Sequence, residues 1–367
     1  MNDDFAARLL AWYETHSRDL PWRHTRDPYH IWLAEVMLTQ TKVRTVIPYY
    51  KRFLARFPDV HALASASLDD VLKYWEGLGY YARARNLHLA AQQLVAEYDG
   101  QFPADRETWI ALPGIGGYIA GSILSIAFGQ NVSAVDGNAR RVLCRVFLIQ
   151  EDTALPATQR RLTTLAQSLL PLGRAGDFNQ ALMDLGAMIC SPTTPRCEGC
   201  PLADICRARA MNMQGEVPLR RKRRKLPHYD IVAGVIWKGD QILIDRRPPK
   251  GLLGSLWEFP GGKLEPGETP EEALSREVRE ELGIEVIVRQ HLLTTKHAYT
   301  HFSITLDAFH CQYLSGTPQC IGCAEWKWIR VEELEAFAFP GANQPIIEAL
   351  RNQAGCPDAT KLPGIVE

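Results

Sequence analysis

Three acidic residues are spaced so that they could bind a cation together. Glu277, Glu280 and Glu281 occupy positions i, i+3 and i+4 in GETPEEALSREVREELGI, residues 267–284. On a helix these positions lie on one side, where like charges repel each other. A divalent cation such as Mg²⁺ would relieve that repulsion and could bridge substrate phosphates. An acidic helix face that is merely solvated is the ordinary alternative.

A lone glutamate interrupts a strongly apolar segment in the first half of the chain. Glu35 stands in IWLAEVML, residues 31–38, where every other residue is apolar. Carboxylates are seldom buried unless they are paired or functional. Burial would raise the pKa of this carboxyl and allow it to donate a proton as a general acid. Asp136, in the sequence VDGN, precedes a predicted helix and can act as its N-cap.

Four cysteines cluster within 17 residues, at Cys190, Cys197, Cys200 and Cys206. In a chain without a secretory signal, such thiols favour a metal or cluster site over disulfides. Structural zinc sites usually show two short cysteine pairs, whereas a [4Fe–4S] cluster binds four cysteines at uneven spacing. We therefore expect a [4Fe–4S] cluster here. The pair Cys320-x2-Cys323 has no second pair nearby and is not expected to form a ligand site.

Glycines open a predicted helix in LPGIGGYIA, residues 112–120. They permit a tight turn and leave backbone N–H groups exposed at the positive end of the helix dipole. The backbone around Leu112, Gly114 and Gly116 could therefore hold a DNA phosphate without any side-chain charge. An ordinary turn between two helices explains this segment equally well when it is taken alone.

Charge is divided unevenly along the 367 residues. Residues 1–226 carry 28 Lys and Arg against 22 Asp and Glu, whereas residues 227–367 carry 13 against 20. Six consecutive cations at 220–225 form either a solvated linker or a tether along a phosphate backbone. We expect three parts, namely a first domain at 1–218, a basic linker at 219–227 and a second domain at 228–367.

The hydrophobic pattern predicts an all-α domain followed by an α/β domain. The clearest helical segments of the first domain are Ile31–Val46, Leu68–Trp75, Ala82–Tyr98, Ile119–Phe128 and Ala139–Leu148. The predicted strands of the second are Tyr229–Trp237, Gln241–Asp245, Ile284–Val288, His301–Tyr313 and Glu325–Ile329. Its predicted helices are Pro270–Leu282 and Pro345–Asn352.

The sequence gives no sign of membrane insertion or secretion. Its apolar runs are too short to span a bilayer. The segment MNDDFAARLLAWYE is acidic and lacks the basic region of a signal peptide. We expect a cytoplasmic protein that acts as a monomer.

The glycine hairpin, Asp136 and the four-cysteine loop together resemble the helix-hairpin-helix DNA glycosylases of the endonuclease III superfamily. Bifunctional members use a lysine nucleophile where this chain has Tyr118. The segments LPWR, DPYHIWLAEVML, GLGYYARARNL, VDGN and FNQALMDLGAMIC closely resemble the MutY-type adenine DNA glycosylases. An endonuclease III-like lyase is the alternative within the superfamily, and the tyrosine argues against it.

The resemblance implies removal of adenine paired with 8-oxoguanine, or with guanine, in double-stranded DNA. Glu35 would protonate the adenine, and Asp136 would stabilise the oxocarbenium-like sugar. The further roles implied are assistance at the sugar by Tyr118 and Asn138, contact with the extruded adenine by Arg23 and Gln180, and DNA contact by Gln40 and Tyr80. Thr39 departs from the family pattern, which usually has a second Gln before Gln40.

The spacing of Gly262, Glu268, Arg276 and the three glutamates around Glu280 fits the whole pattern of a Nudix box. A capping box at Thr269 should start the helix, and Gly283 should end it. Leu274, Val278 and Leu282 should form its buried stripe. Glu268, Arg276, Glu277, Glu280 and Glu281 are the predicted metal-binding and catalytic residues of this box.

Other segments of the second domain resemble MutT-type 8-oxo-dGTP pyrophosphohydrolases. They are WEFPGGK at 257–263 and FPGAN at 339–343. This resemblance implies nucleotide binding by Arg246 and Asn343. In MutY-type enzymes a related domain detects 8-oxoguanine, and Tyr299-Thr300-His301 stands where that domain often has Phe-Ser-His. The second domain is thus either a reader of the lesion or a hydrolase of 8-oxo-dGTP, and the alternative for the whole chain is primarily a nucleotide pyrophosphohydrolase.

Overall fold

A computed structural model describes residues 2–219 and 226–352. The predicted linker at 219–227 therefore lies largely outside the described residues. The chain forms two compact units, of which the first comprises residues 1–65 and 86–223 and the second comprises residues 66–85 and 224–367. The second unit thus includes a short stretch of the helical half, which the sequence pattern does not predict.

The first half of the chain is helical, as predicted. Its α-helices are α1 (Asn2–His16), α2 (Pro28–Leu38), α3 (Val43–Arg56), α4 (Val60–Ser65), α5 (Leu68–Trp75), α6 (Ala82–Tyr98), α7 (Arg106–Ala111), α8 (Gly117–Ile126), α9 (Gly137–Phe147), α10 (Pro156–Leu169), α11 (Ala175–Met188) and α12 (Arg207–Ala210). Within the described residues, none of the helices is long and apolar enough to cross a membrane.

Local signals set the ends of the helix that carries Glu35. The Asp27 side chain accepts a hydrogen bond from the Tyr29 N–H, and Pro28 occupies the first helical position. The single helix predicted over Ile31–Val46 is wrong, because α2 ends at Leu38 and four residues separate it from the start of α3 at Val43. Gln40 lies in this gap with a left-handed φ of 61°, a conformation that no α-helix continues through.

A close approach of two helices positions the VDGN segment. Helices α1, α9, α10 and α11 share one core, in which Phe5 and Phe178 are fully buried. Gly186 of α11 lies directly against Asn138, since a Cβ at Gly186 would come within 2.9 Å of the Asn138 backbone. The absence of a side chain there lets the start of α9 sit against α11.

The second unit contains a mixed seven-stranded sheet with a helix on each face. Its strands are β1 (His228–Lys238), β2 (Gln241–Arg246), β3 (Trp257–Glu258), β4 (Gly261–Lys263), β5 (Glu285–Ala298), β6 (Ser303–Ser315) and β7 (Glu325–Ile329), and the α-helices that cover the sheet are α13 (Pro270–Leu282) and α14 (Gln344–Asn352). The strand order is β3-β2-β1-β6-β5, with β4 paired to β1 and β7 to β2. Only β1 and β6 pair in parallel among these described strands.

Alternate residues of the central strands face two separate cores. Ala233 and Val235 of β1 belong to the core that contains Ile346 of α14. Val232 and Ile236 of the same strand belong to the core under α13. This alternation is the period-two pattern expected of a strand that is covered on both sides.

Candidate functional site

Glu35 lies in the middle of α2 and is only 5% exposed. The Tyr118 hydroxyl, at the start of α8, donates a hydrogen bond to its Oε2 atom. Burial raises the pKa of Glu35 to about 7, the Tyr118 hydrogen bond opposes this, and the nearby Asp136 carboxylate adds to it. A carboxyl with a pKa about 7 remains protonated in a large fraction of molecules at neutral pH, so Glu35 has the properties of a general acid.

Asp136 is the N-cap of α9 and is held by several donors. Its carboxylate accepts hydrogen bonds from the Ala139 N–H at 2.6 Å and from Asn138 Nδ2 at 2.8 Å. Arg141 in turn donates to Asn138 Oδ1 at 2.8 Å. Burial raises the pKa of Asp136, while these hydrogen bonds and the Arg141 charge favour its ionised form. Asp136 also raises the pKa of Tyr118 electrostatically, so the four predicted catalytic residues share one site.

A small pocket with a volume of about 40 Å³ opens beside Glu35, and Arg23 and Gln180 line it together with Met183. The guanidinium of Arg23 is paired with Asp184, with N–O distances of 2.6 and 2.8 Å. Asp184 is fully buried and accepts hydrogen bonds from Arg18 as well. Sequence reasoning missed Asp184, although a lone aspartate in the apolar segment FNQALMDLGAM was a signal of the same kind as Glu35.

The predicted DNA hairpin presents backbone groups at the start of α8. Leu112 is buried, whereas Gly114 and Gly116 are exposed. Gly114 has a φ of 75°, which favours glycine. Gly116 is the N-cap of α8, and no side chain caps this described helix end. Its first N–H groups are therefore directed at solvent, as an anion site requires.

Two predicted DNA contacts have strained backbones. Gln40 is exposed with a φ of 61°, and Tyr80 has a φ of 51°. Non-glycine residues in this conformation often belong to functional sites. Within the second unit, the Tyr80 hydroxyl donates a hydrogen bond to Thr300 Oγ1 at 2.8 Å.

All four clustered cysteines line one small cavity. Within the described residues, no three Cys, His, Asp or Glu side chains converge on a single ion. A [4Fe–4S] cluster binds each thiolate through a different iron, so its ligands surround a cavity and need not meet at one point. Buried Arg145 lines the same cavity and donates to Cys190 Sγ at 3.2 Å. These four residues fit such a cluster.

The predicted features of the Nudix helix are confirmed. Thr269 and Glu272 form the capping box, and Gly283 ends α13 with a φ of 65°. The three stripe residues are buried. Arg276 links the acidic residues, since it bonds Glu268 at 2.7 Å and lies 3.1 Å from both Glu277 and Glu280.

A cavity of 520 Å³ lies beside α13 in the second unit. Glu277, Glu281 and Asn343 line it, as does Gly262. A Cβ at Gly262 would overlap the Glu277 carboxylate, so a larger residue there would displace that side chain from its present position. Burial, together with the neighbouring carboxylates of Glu258 and Glu277, raises the pKa of Glu281 to about 7. The cavity therefore holds negative charge that protons or a cation must balance.

Arg246 differs from the sequence prediction. It is paired with Asp69 at 3.0 Å and with Glu325 at 3.4 Å, and it does not line the cavity formed by the described residues. The next residue, Arg247, does line the cavity and bonds Glu258 at 2.8 Å. Successive residues at the end of a strand point to opposite faces, so a one-residue shift in the prediction selects the wrong arginine.

The YTH segment connects β5 to β6. Tyr299 lines the 520 Å³ cavity, and its ring stacks on Phe302 with a centroid distance of 4.7 Å. Thr300 and His301 are exposed. The segment thus directs its aromatic ring towards the predicted nucleotide site, whereas Thr300 bonds the Tyr80 hydroxyl and His301 is exposed.

Comparisons with known proteins match the two halves of the chain to two different families. Residues 33–168 match the HhH-GPD superfamily of base excision DNA repair proteins, and residues 232–349 match the NUDIX domain. The adenine DNA glycosylase of Homo sapiens is 36% identical over 405 aligned residues, which cover 95% of this chain and 74% of that protein. That of Rattus norvegicus is 35% identical and covers 93% of this chain and 77% of its own length.

Among solved structures, a thermostable thymine-DNA glycosylase is 32% identical with a TM-score of 0.53. The match covers 57% of this chain and 97% of that one. A non-covalent endonuclease III–DNA complex, 22% identical with a TM-score of 0.50 over 58% of this chain and 99% of its own, shares the fold. Together with the Glu35 site, these relationships show that the chain belongs to the adenine DNA glycosylase family.

Proposed function

We propose that this DNA glycosylase of base excision repair removes adenine lying opposite 8-oxoguanine, or opposite guanine, in double-stranded DNA. The observation that carries the proposal is the buried Glu35 carboxyl, with its raised pKa, hydrogen-bonded to Tyr118 beside a pocket. The target base must leave the stack to reach such a pocket, because the glycosidic bond is inaccessible in stacked duplex.

The geometry supports a two-carboxylate hydrolysis. Glu35 donates its proton to a ring nitrogen of adenine, which turns the base into a good leaving group. Positive charge then develops on the sugar, where the Asp136 carboxylate stabilises it. The donors from Ala139 and Asn138 keep that carboxylate ionised and fixed. Water then attacks the sugar and completes the hydrolysis. The DNA strand is left uncut, because this chain has Tyr118 at the position where strand-cleaving members have a nucleophilic lysine.

The decisive test measures free adenine released from a duplex with one A:8-oxoguanine pair. Glu35→Gln should reduce the rate by about 10²–10⁴, the usual contribution of a general acid. Glu97→Gln, at an exposed position of α6, is the matched control and should act as wild type. Full activity of Glu35→Gln, or a covalent complex trapped by borohydride, would contradict the proposal.

A second activity is part of the proposal, namely Mg²⁺-dependent hydrolysis of 8-oxo-dGTP to its monophosphate and pyrophosphate. The support is a cavity lined by Glu277, Glu281, Asn343 and Arg247. Bound Mg²⁺ would neutralise phosphate charge at the glutamates. Arg247 offers a fixed cation, and Asn343 is 6% exposed and offers an amide that can read a purine edge.

This activity is tested by incubating the protein with 8-oxo-dGTP and Mg²⁺ and measuring pyrophosphate. Turnover should be lost when Glu280→Gln and Glu281→Gln are combined. Glu271→Gln, on the same helix but in its first turn, is the control that should retain it. If wild type and the double variant released pyrophosphate at the same rate, the second unit would be a lesion reader only, acting through Tyr299, Thr300 and His301.

We further propose a [4Fe–4S] cluster at Cys190, Cys197, Cys200 and Cys206. When bound, the cluster would supply a rigid cross-link for the loop that follows α11. Visible absorption and iron content should both fall when Cys200 is replaced by serine. Replacement of Cys311, which lies outside the cavity, should change neither. A cytoplasmic location and a monomeric state remain part of the proposal.

A further inference from the structure

Two cysteines outside the proposed sites lie in the segment between β6 and β7. We refer to residues 319–323 as the CxxC loop. Cys320 is exposed, whereas Cys323 is only 9% exposed. The two side chains interact directly. Burial and the Asp245 carboxylate raise the pKa of Cys323 to about 12, so accessible Cys320 is the thiol that an oxidant meets first and Cys323 can serve only as its resolving partner.

The backbone of the CxxC loop caps the C-terminal end of α13. The Gln319 N–H donates to the Leu282 carbonyl at 2.9 Å. The N–H groups of Ile321 and Gly322 both donate to the Glu281 carbonyl at 3.1 Å. The last carbonyls of a helix have no partner within the helix, so these bonds connect the loop to the end of the Nudix helix.

Side chains join the same two elements. A Cβ at Gly322 would lie 2.8 Å from Glu281 Cγ, so the Glu281 side chain packs over the loop. Cys323 faces the carboxylates of Asp245 and Glu281. The two residues between the cysteines are therefore the ones that hold Glu281.

We propose that Cys320 and Cys323 form a reversible disulfide, which makes the CxxC loop a redox-sensitive modification site at the Glu281 end of α13. The oxidant is a low-molecular-weight disulfide. The Cys320 thiolate attacks one of its sulfurs and expels a thiolate, which gives a mixed disulfide. The Cys323 thiolate then attacks Cys320 Sγ and expels the second small thiolate. The protein dithiol loses two electrons and two protons, and the small disulfide becomes two thiols.

The experiment titrates the intact, reduced protein with oxidised glutathione and then alkylates the remaining thiols. Trypsin releases residues 297–327, which contain three cysteines, Cys311, Cys320 and Cys323. Peptide mass spectrometry should show a loss of two alkylation sites and two hydrogens. Cys311 is 1% exposed and should remain alkylated after denaturation, so it is an internal standard. Added dithiol should restore three alkyl groups.

Two single variants identify the chemistry. Cys323→Ser should accumulate the mixed disulfide at Cys320, because the resolving thiol is absent. Cys320→Ser should leave Cys323 as a free thiol. The inference would be overturned if wild type accumulated the mixed disulfide as Cys323→Ser does. It would also be overturned by unchanged thiols at Cys320 and Cys323, or by a cross-link of Cys320 to a cysteine other than Cys323.

A second readout tests the connection to α13 and does not depend on nucleotide hydrolysis. Oxidation should alter amide hydrogen exchange at the C-terminal turn of α13 and at Ile321 and Gly322, which donate to Glu281. The first turn of the same helix, capped by Thr269, should be unaffected. The proposed link to Glu281 would be contradicted if the reduced and oxidised proteins exchanged their amide hydrogens identically. It would also be contradicted if exchange changed along the whole second unit.

Discussion

Glu35 and Glu281 each have a pKa of about 7, yet their surroundings are different. Glu35 is alone in an apolar helix, and burial is the main cause. Glu281 lies at the edge of an open cavity, where burial acts together with other carboxylates. An isolated buried carboxyl avoids the free-energy cost of a buried charge by holding a proton. A cluster of carboxylates can also lower that cost by binding a cation. A raised pKa alone therefore does not distinguish an acid catalyst from a metal site.

Chelation of Mg²⁺ should separate the two sites most strongly. With EDTA present, pyrophosphate release from 8-oxo-dGTP should fall to background, because the Nudix carboxylates depend on a cation to bind the phosphates. Adenine release should be unchanged, since Glu35 acts through its proton. Both rates are measured on one protein sample, and an equal fall in adenine release would refute the distinction.

Asp136→Asn tests the charge at the first site. Asparagine can still cap α9, but it cannot stabilise a cationic sugar. Adenine release should fall by about 10²–10³, the range for loss of one electrostatic group. Asp105→Asn changes the N-cap of α7 in the same way and is the control for capping. If both variants lost activity equally, helix stability rather than charge would explain the effect.

Glu35→Gln should stabilise the protein even as it abolishes catalysis. The pKa of Glu35 rises from 4.5 to about 7 on folding, so the folded state holds the extra proton between those values. The free energy of unfolding therefore falls as the pH rises through that window. At neutral pH and above, the raised pKa lowers it by about 3 kcal/mol. The denaturation midpoint of the first unit should be higher in Glu35→Gln at pH 8 and should match wild type at pH 4.

Tyr118→Phe should produce the smallest effect, a shift in the pH profile. The Tyr118 hydrogen bond lowers the pKa of Glu35, so its removal raises that pKa. Glu35 works in its protonated form, and adenine release declines as pH rises through its pKa. The decline should therefore move to higher pH in Tyr118→Phe. Tyr98→Phe, at an exposed position, should leave the profile in place.

Elements with strong local signals were predictable from sequence. The bounds of α13, α5 and α6 agree with the predicted segments residue for residue, because capping residues and apolar spacing coincide there. The break between α2 and α3 was not predictable, since it depends on a left-handed conformation at Gln40, a residue type that gives no signal for it. The strands β3 and β4 are two and three residues long, too short for a periodic pattern.

The site residues likewise divide into those with a strong local signal in the sequence and those without one. Glu35 was predictable because a charge in an apolar helix stands out from its neighbours. Arg247 was missed because two adjacent arginines end β2, and only the register of the strand decides which one faces the cavity. Asp184 carried the same local signal as Glu35, but its pairing with Arg23, which is 161 residues away in the sequence, was not predictable. Long-range pairings of this kind leave no trace in local spacing.

The stretch at residues 66–85 has a consequence for how the protein can be divided. It belongs to the second unit, where Asp69 pairs with Arg246 and Glu76 accepts a hydrogen bond from the Phe339 N–H. A fragment that ends at the basic tract would lose these bonds and expose the surface they join. The glycosylase half and the NUDIX half of the chain therefore cannot be separated by one cut at that tract without breaking these bonds. A recombinant in which one half came from a homologous protein would need residues in both halves that can form these bonds.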